Sequence, residues 1–326
     1  MKGELRKGAQ PSMKKLLFVF NPRSGKGQIR QHLMAIADTF VKGGYEVTVH
    51  PTQAQLDAYE KISSRCEDFD AVVCSGGDGT LNEAIKALMT SGKRVPLGYI
   101  PSGTMNDFAS SLGIPKDMPE AAARIVEGQL VTVDVGSFND EYFTYIAAFG
   151  AFTDVSYETS QQMKNMFGSL AYIMEGMKRL NTAKSYHVTV THDGETIEDD
   201  FIFGMASNST SVGGFKGLSG TEVLLDDGVF EVLMIRMPKS LAEFQLTINS
   251  FLKRELDSKY FVSFKAKQVE FHSDGDLPWT LDGEFGGNCR NVTIKNNYRA
   301  VDIFAPKPGA VIAASADEDI GEDTEE

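Results

Sequence analysis

The chain has 326 residues, 42% of them hydrophobic and 24% charged, which is typical of a globular protein with room for two domains. Its net charge of −13 disfavours nucleic acid as a partner. The sequence holds no apolar run long enough to span a bilayer and no signal peptide, so we expect a cytoplasmic protein. Three widely spaced cysteines fit neither a disulfide framework nor a zinc site.

Strand and helix patterns alternate over the first part of the chain. Strands are predicted at Leu16–Phe20, Tyr45–His50, Asp70–Cys74 and Val95–Ile100, and helices at Ile29–Val41, Leu56–Cys66 and Leu81–Met89. This alternation predicts an α/β domain built on a Rossmann-like parallel sheet. Ligands of such sheets bind at the carboxyl ends of the strands.

The second part of the chain reads mainly as strands and predicts an all-β sandwich. The predicted strands are Val131–Val135, Tyr142–Ala148, Ser185–Thr191, Thr196–Met205, Gly228–Arg236, Phe261–Val269, Asn291–Lys295 and Val301–Phe304. Helices are predicted only at Met163–Leu180 and Leu241–Leu256. We therefore expect domains at 14–136 and 137–306, with the return of the last strand to the first domain left open. An acidic, disordered tail is predicted at 307–326.

Three polar loops that contain glycine follow predicted strands. They are Asn21-Pro22-Arg23-Ser24-Gly25-Lys26-Gly27, Gly76-Gly77-Asp78-Gly79-Thr80 and Pro101-Ser102-Gly103-Thr104-Met105-Asn106-Asp107-Phe108. Glycine lets backbone N–H groups approach a phosphate, and the start of a helix favours the negative charge. The alternative is a set of ordinary surface turns. The placement of Gly76–Thr80 between a buried strand and a helix favours a phosphate site, with magnesium beside Asp78.

Two carboxylates flank a glycine late in the chain, at Asp282-Gly283-Glu284. On a tight turn, both could face a cleft between the domains, where Asp282 would accept a hydroxyl proton as a general base. The alternative is a plain hairpin turn, because Asp-Gly is a common hairpin signal.

These motifs together resemble those of the diacylglycerol kinase family of soluble bacterial lipid kinases. The likeness rests on Gly-Gly-Asp-Gly-Thr-Leu-Asn-Glu, the Asn-Pro-x-Ser-Gly loop, the Gly-Thr-x-Asn-Asp-Phe-Ala segment and Leu-Asp-Gly-Glu, and it runs from about Lys15 to Pro306. Gly-Gly-Asp-Gly-Thr alone is shared with NAD kinases, whereas the full set is specific to the lipid kinases. Met105 departs from the small residue that the family often has there.

The resemblance implies an ATP- and Mg²⁺-dependent kinase of phospholipid biosynthesis, with ATP in the cleft. The implied nucleotide-binding residues are Asn21, Pro22, Arg23, Ser24, Gly25, Thr52, Gly76, Gly77, Asp78, Gly79, Thr80, Leu81, Asn82 and Thr104. Asp78 and Asp107 would belong to an acidic network around the catalytic magnesium. Asp282 would be the proton acceptor and Glu284 its companion. A structural metal would be held by Leu224, Asp227 and Val229, although Asp226-Asp227-Gly228 also fits a plain turn.

A lipid substrate implies contact with a membrane surface. Lys164, Lys178, Arg179 and Lys184 together form a candidate basic patch for anionic lipid, with a solvated helix face as the alternative. A homodimer would be an ordinary assembly for such an enzyme.

Three other functions stay open at this point. One is phosphorylation of a different lipid alcohol, and another is an NAD-kinase-like activity on a soluble substrate. The third is a non-catalytic nucleotide sensor, against which the retention of the acidic residues in all four motifs argues.

Overall fold

The computed structural model describes residues 13–103, 106–150, 184–208, 211–212, 215–216, 224–253 and 256–306. The predicted helix at Met163–Leu180, Thr104 and the acidic tail lie outside the described residues. Of the candidate basic patch, Lys184 alone is within them, and its side chain is exposed.

The first part of the chain forms a parallel sheet flanked by helices. Its strands are β1 (Lys14–Phe20), β2 (Tyr45–Pro51), β3 (Ala71–Gly76) and β4 (Leu97–Pro101), in the order β4-β3-β1-β2. Its helices are α1 (Ile29–Lys42), α2 (Asp57–Arg65), α3 (Asp78–Ser91), α4 (Asp107–Ser111) and α5 (Met118–Glu127). Strands β3 and β4 are buried throughout because helices cover both faces of a parallel sheet.

Antiparallel pairing dominates the second part. Its longer strands are β5 (Leu130–Phe138), β8 (Tyr186–His192), β9 (Glu195–Ser207), β12 (Phe230–Arg236), β13 (Phe261–Ala266), β14 (Gln268–Leu281) and β15 (Glu284–Phe304). Shorter strands are β6 (Glu141–Phe143), β7 (Ile146–Gly150), β10 (Ser211–Val212) and β11 (Phe215–Lys216), and the helix is α6 (Leu241–Lys253). The predicted fold class, an α/β part followed by a β-rich sandwich-like part, is confirmed.

The two parts share one hydrogen-bonded sheet. Ile303 near the end of β15 pairs in parallel with Leu97 of β4, so thirteen of the described strands form one hydrogen-bonded network, while β10 and β11 form a separate two-stranded sheet. A second core lies within the β-rich part, where the buried Trp279 ring makes edge contacts with the rings of Phe138, Phe149 and Phe271. The shared sheet fixes both walls of the cleft between the two parts.

Several predicted elements differ from the observed ones. Helix α3 begins at Asp78 rather than Leu81, because Gly77 takes the extended N-cap conformation and ends the loop early. The single strand predicted at Tyr142–Ala148 is divided into β6 and β7. The strand predicted at Phe261–Val269 is split between β13 and β14, and the last two predicted strands are both parts of β15.

Two helices, α4 and α5, were not predicted. Helix α5 does carry recognisable end signals, because the Asp117 side chain accepts a hydrogen bond from the Glu120 N–H at its start and Gly128 at its end has φ +74°. Helix α4 has only five residues, which is too short for a periodic pattern to show.

Candidate active site

A cleft of about 710 Å³ lies where the carboxyl ends of the parallel strands face the β-rich part. Of the residues predicted for the site, those that line it are Asn21, Arg23, Ser24, Thr52, Gly77, Gly79, Thr80, Asn82, Asp282 and Glu284. One cleft therefore brings together the first two predicted phosphate loops and the late acidic turn, while none of the described residues of the third loop is among those that line it.

The three glycine-bearing loops pack backbone against backbone. The N–H of Asn21 donates to Ser75 O at 2.8 Å, and the N–H of Ser102 donates to Gly76 O at 2.8 Å. A Cβ placed on Gly103 would stand 2.6 Å from the Cα of Gly77. Side chains at these contacts would push the loops apart, so the glycines are needed for close approach.

Asp78 ties the second loop to the third. Its Oδ2 accepts the N–H of Asn106 at 3.1 Å. The Asn106 amide in turn accepts the N–H of Gly103 at 3.0 Å and donates to Gly103 O at 2.8 Å. Asn106 is buried and has φ +53°, a conformation that Asn tolerates better than most residues. The loop conformation around Asp78 is thus fixed by a neighbouring motif.

A further wall of the cleft is the segment 52–56. The N–H of Thr52 donates to Phe20 O at 2.9 Å at the end of β1. The Glu83 carboxylate on α3 accepts the N–H groups of Leu56 at 2.9 Å and Ala58 at 3.2 Å. These are otherwise unsatisfied donors at the start of α2. Helix α3 therefore holds this wall in place through Glu83.

The Asp282 carboxylate is buried and accepts five hydrogen bonds. Its Oδ1 accepts the N–H groups of Tyr145 at 2.9 Å and Ile146 at 3.1 Å. Its Oδ2 accepts the N–H of Thr144 at 2.7 Å, the Thr144 hydroxyl at 2.8 Å and the Asn82 side-chain amide at 2.9 Å. Burial raises the pKa of the Asp282 carboxyl, and the hydrogen bonds from Thr144, Tyr145 and Ile146 oppose that rise.

Glu284, two residues later, has a different environment. Its side chain is exposed at the start of β15, where it lines the cleft beside Phe285. Asp282 has φ +51° and Gly283 has φ +84°, so the turn does have the two left-handed residues of a tight hairpin. The turn is thus both a hairpin and a pair of carboxylates at the cleft.

Other residues predicted for the site lie elsewhere. Pro22, Gly25, Gly76 and Asp78 belong to the loops but do not line the cleft, and the Leu81 side chain is fully buried in the core. Leu81 can therefore contribute only its backbone. Asp107 begins α4.

The predicted structural metal ligands fall on one turn, and none of them is among the residues that line the cleft. Leu224 is exposed, and the Asp227 carboxylate accepts the Val229 N–H at 3.1 Å and lies 3.8 Å from Lys265 Nζ. The Val229 carbonyl accepts the Asn296 amide at 3.3 Å. Within the described ranges, three or more His, Cys, Asp or Glu side chains nowhere gather closely enough to hold a metal ion. Metal binding at this turn stays a prediction.

Among the residues missed from the sequence are Glu83, Lys86 and Glu141, which line the cleft, and Thr144, which contacts Asp282 without lining the cleft. Lys86 on α3 forms an ion pair with Glu141 on β6 and lies over the Tyr59 ring. Glu83 was quoted in the motif without a role, and its position one turn into a helix beside a phosphate loop is the signal that could have suggested one. Lys86, Glu141 and Thr144 carry no such signal, because their neighbours are distant in sequence.

As for membrane-spanning segments, none of the helices in the described part of the chain has the length and apolar character needed to cross a bilayer.

Comparisons with known proteins agree with this geometry. The family model for the Diacylglycerol kinase catalytic domain matches residues 15–138, and that for the YegS C-terminal NAD kinase beta sandwich-like domain matches residues 148–304. The chain is 34% identical over 301 residues to a diacylglycerol kinase of Bacillus subtilis (strain 168), covering 91% of this chain and 98% of that one. It is 32% identical over 296 residues to a diacylglycerol kinase of Staphylococcus carnosus (strain TM300), covering 90% and 96%.

A solved structure is also similar. The crystal structure of a diacylglycerol kinase from Bacillus anthracis str. Sterne superposes with a TM-score of 0.76 at 24% sequence identity. The superposition covers 93% of this chain and 99% of that one, so the likeness in fold extends over both parts of the molecule.

Proposed function

Because the chain belongs to the diacylglycerol kinase family, we propose that it transfers the γ-phosphoryl group of ATP to the hydroxyl of diacylglycerol, giving phosphatidic acid. The observation that carries this proposal is the cleft in which glycine-bearing loops face a buried carboxylate across the two parts of the chain. Phosphoryl transfer depends mainly on positioning and on neutralising charge, and this arrangement offers both.

ATP would bind along the three loops at the ends of β1, β3 and β4. The cleft-lining residues Asn21, Ser24, Gly77 and Gly79 expose backbone and short side chains there, and the N-terminal end of α3 favours phosphate charge. Arg23 adds a cation at the same wall. Thr52, in the wall formed by residues 52–56, would contact the nucleotide from the other side of the cleft.

Magnesium is the cation that we propose accompanies ATP. The donors beside the loops are oxygen atoms, and Mg²⁺ in kinases is held by one or two carboxylates together with phosphate oxygens. Asp78 and Asp107 would hold the ion. Because phosphate oxygens would supply other ligands, a ready-made cage of protein ligands is not needed. When bound, magnesium supplies neutralisation of the phosphate charge.

Asp282 is the proposed proton acceptor, with Glu284 as its companion. The hydroxyl proton passes to Asp282 as the hydroxyl oxygen bonds to the γ-phosphorus. The bond from that phosphorus to the β–γ bridging oxygen then breaks and ADP leaves. Burial raises the pKa of Asp282, and the hydrogen bonds that it accepts oppose this rise by favouring the charged form that a base requires. Glu284 is exposed and can approach the same hydroxyl.

The acceptor is a lipid, so the enzyme would work from the cytoplasm in transient contact with the membrane surface, and we extend the proposal to a homodimer. Diacylglycerol is favoured as the acceptor because the similar proteins are named diacylglycerol kinases. A different lipid alcohol and an NAD-kinase-like substrate are the alternatives, the latter because the second matched model is named for an NAD-kinase-like domain.

The test is Mg²⁺-dependent transfer of labelled phosphate from ATP to diacylglycerol in mixed micelles, with ceramide and NAD offered in parallel. We expect labelled phosphatidic acid, with a loss of about 10³-fold or more in Asp282→Asn and unchanged ATP binding. Labelled NADP without a lipid product would contradict the proposal. Full activity in Asp282→Asn together with a large loss in Glu284→Gln would move the base to Glu284.

A further inference from the structure

One segment that contacts Asp282 is absent from the sequence motifs. The strand predicted at Tyr142–Ala148 breaks because the chain bends at Thr144 and Tyr145. Three successive N–H groups, those of Thr144, Tyr145 and Ile146, donate to the Asp282 carboxylate. Successive backbone donors that converge on one anion form a nest. At the break between the two strands, backbone N–H groups are therefore available to donate to the Asp282 carboxylate.

The two oxygens of Asp282 differ in their hydrogen bonding. Oδ1 accepts two backbone N–H groups, which match its two lone-pair sites. Oδ2 accepts three donors, namely the N–H and the hydroxyl of Thr144 and the amide of Asn82. An incoming hydroxyl that is to reach Oδ2 must therefore displace one of these three donors.

The donor that can be displaced most readily is the Asn82 amide. Asn82 lines the cleft, and its Nδ2 has a second acceptor in the Tyr142 carbonyl at 3.2 Å. The residue Thr144 has only 1% of its surface exposed and does not line the cleft. Both of its donors therefore lie on the side of the carboxylate that faces away from the cleft. Thr144 thus stays in place when the cleft is occupied.

We propose that the Thr144 hydroxyl is a positioning group for phosphoryl transfer, orienting Oδ2 of Asp282 toward the acceptor hydroxyl as that hydroxyl displaces the Asn82 amide. The proposal deepens the proposed function and rests on it. Thr144 acts through Asp282 and does not itself touch the reacting atoms. Its substitution should therefore lower kcat while leaving the KM for ATP within about two-fold of wild type.

The experiment compares Thr144→Val with Thr144→Ser, using diacylglycerol in mixed micelles as the acceptor. Valine keeps the shape and the backbone N–H but removes the hydroxyl, whereas serine keeps the hydroxyl. We expect kcat to fall about 10- to 100-fold in Thr144→Val, the equivalent of one hydrogen bond to a charged group, and to stay within about three-fold in Thr144→Ser. Thr144→Ala lacks the hydroxyl as well and should show the same loss, so it replaces the valine variant if that one does not fold.

Three results would overturn the positioning role. One is a wild-type kcat in both variants that lack the hydroxyl. Another is an equal loss in Thr144→Ser, since the effect would then come from packing. The third is a parallel rise in the KM for ATP. Full activity in Asp282→Asn would instead contradict the assignment of Asp282 as the base. Normal turnover in Thr144→Val together with an inactive Asp282→Asn would overturn only the role of Thr144.

Discussion

At Gly25 the backbone has φ +55°, and a Cβ there would stand 2.1 Å from the carbonyl oxygen of Ser102. The first and third glycine-bearing loops therefore approach each other closely through their main-chain atoms at this point. A Gly in a phosphate loop is often explained by flexibility, but here the requirement is for space and for a left-handed conformation. Between Gly77 and Gly103 only the requirement for space applies, because a Cβ on Gly103 would stand 2.6 Å from the Gly77 Cα while neither residue has a positive φ.

Gly25→Ala is expected to lower the free energy of unfolding by about 3 kcal/mol, because left-handed strain and a backbone clash add together. Gly44→Ala is the matched control, since Gly44 has φ +86° but open space around its Cβ position. That control should lose only about 1 kcal/mol from the strain. Urea unfolding of both variants measures the difference, and equal losses would show that the loop contact does not matter.

At the scale of elements, α3 connects the walls of the cleft. Its N-terminal end carries Asp78 of the second loop, Asn82 reaches Asp282, and Glu83 holds the start of α2. Lys86 one turn later pairs with Glu141 of β6. These side chains lie within about two and a half turns of one helix, so a shift of α3 would displace both the second loop and the amide that contacts the Asp282 carboxylate.

Glu83→Gln should loosen the wall formed by residues 52–56. A charged acceptor for two N–H groups at a helix start becomes a neutral one, so we expect a loss of about 1 kcal/mol in stability and a raised KM for ATP. Glu67→Gln serves as control, because Glu67 makes only an exposed pair with Lys93 at 3.7 Å. An unchanged KM in Glu83→Gln would show that this wall does not contact the nucleotide.

The turn at Asp227 allows a separate test of the predicted structural metal. If Asp227 ligates Mg²⁺, saturating Mg²⁺ should stabilise the wild type relative to EDTA, by about 2.7 kcal/mol at a hundredfold excess over Kd. Asp227→Asn should abolish this shift, and the neighbouring exposed Asp226→Asn should retain it. Thermal unfolding provides the measurement. If Mg²⁺ does not change the stability of the wild type, or stabilises Asp227→Asn equally, the turn does not bind a metal through Asp227.

At the scale of the whole molecule, the last strand joins both parts of the chain. Near its end Asp302 accepts two hydrogen bonds from the Arg94 guanidinium, at 2.6 and 2.8 Å, and one from the Thr132 hydroxyl at 2.9 Å. Arg94 precedes β4 and Thr132 lies on β5, so this cluster ties three segments together. The Arg94 guanidinium holds the pKa of Asp302 below its ordinary value.

Asp302→Asn should therefore destabilise the protein in a pH-dependent way. A folded-state pKa below the unfolded one contributes stability above the unfolded pKa, and that stability is lost as the pH falls through the folded pKa. We expect a deficit of about 1 kcal/mol at pH 7, kept small because Arg94 is largely exposed, that shrinks as the pH drops below about 3.9. Urea unfolding at a series of pH values measures it, and a deficit independent of pH would rule out the ion pair as its source.

Local patterns were sufficient for the fold class and for the motif residues. The apolar runs of β1 and β3 and the glycine loops that follow them are contiguous in sequence, and the physics of strand, turn and helix start is local. The acidic turn at Asp282 could also be located, although its two interpretations, hairpin and active-site carboxylate, could not be separated. The structure shows the hairpin and places both carboxylates at the cleft, and the catalytic role of Asp282 stays a prediction.

Only the tertiary structure decided which residues surround Asp282. Asn82 lies 200 positions away and Thr144 lies 138 positions away, and neither contact leaves a periodic trace in the sequence. The break between β6 and β7 likewise runs against local strand propensity, and the N–H groups of Thr144, Tyr145 and Ile146 beside it donate to the Asp282 carboxylate. Sequence determined which groups this protein carries, and long-range packing decided which of them share the cleft, because contacts between distant segments are set by the whole fold.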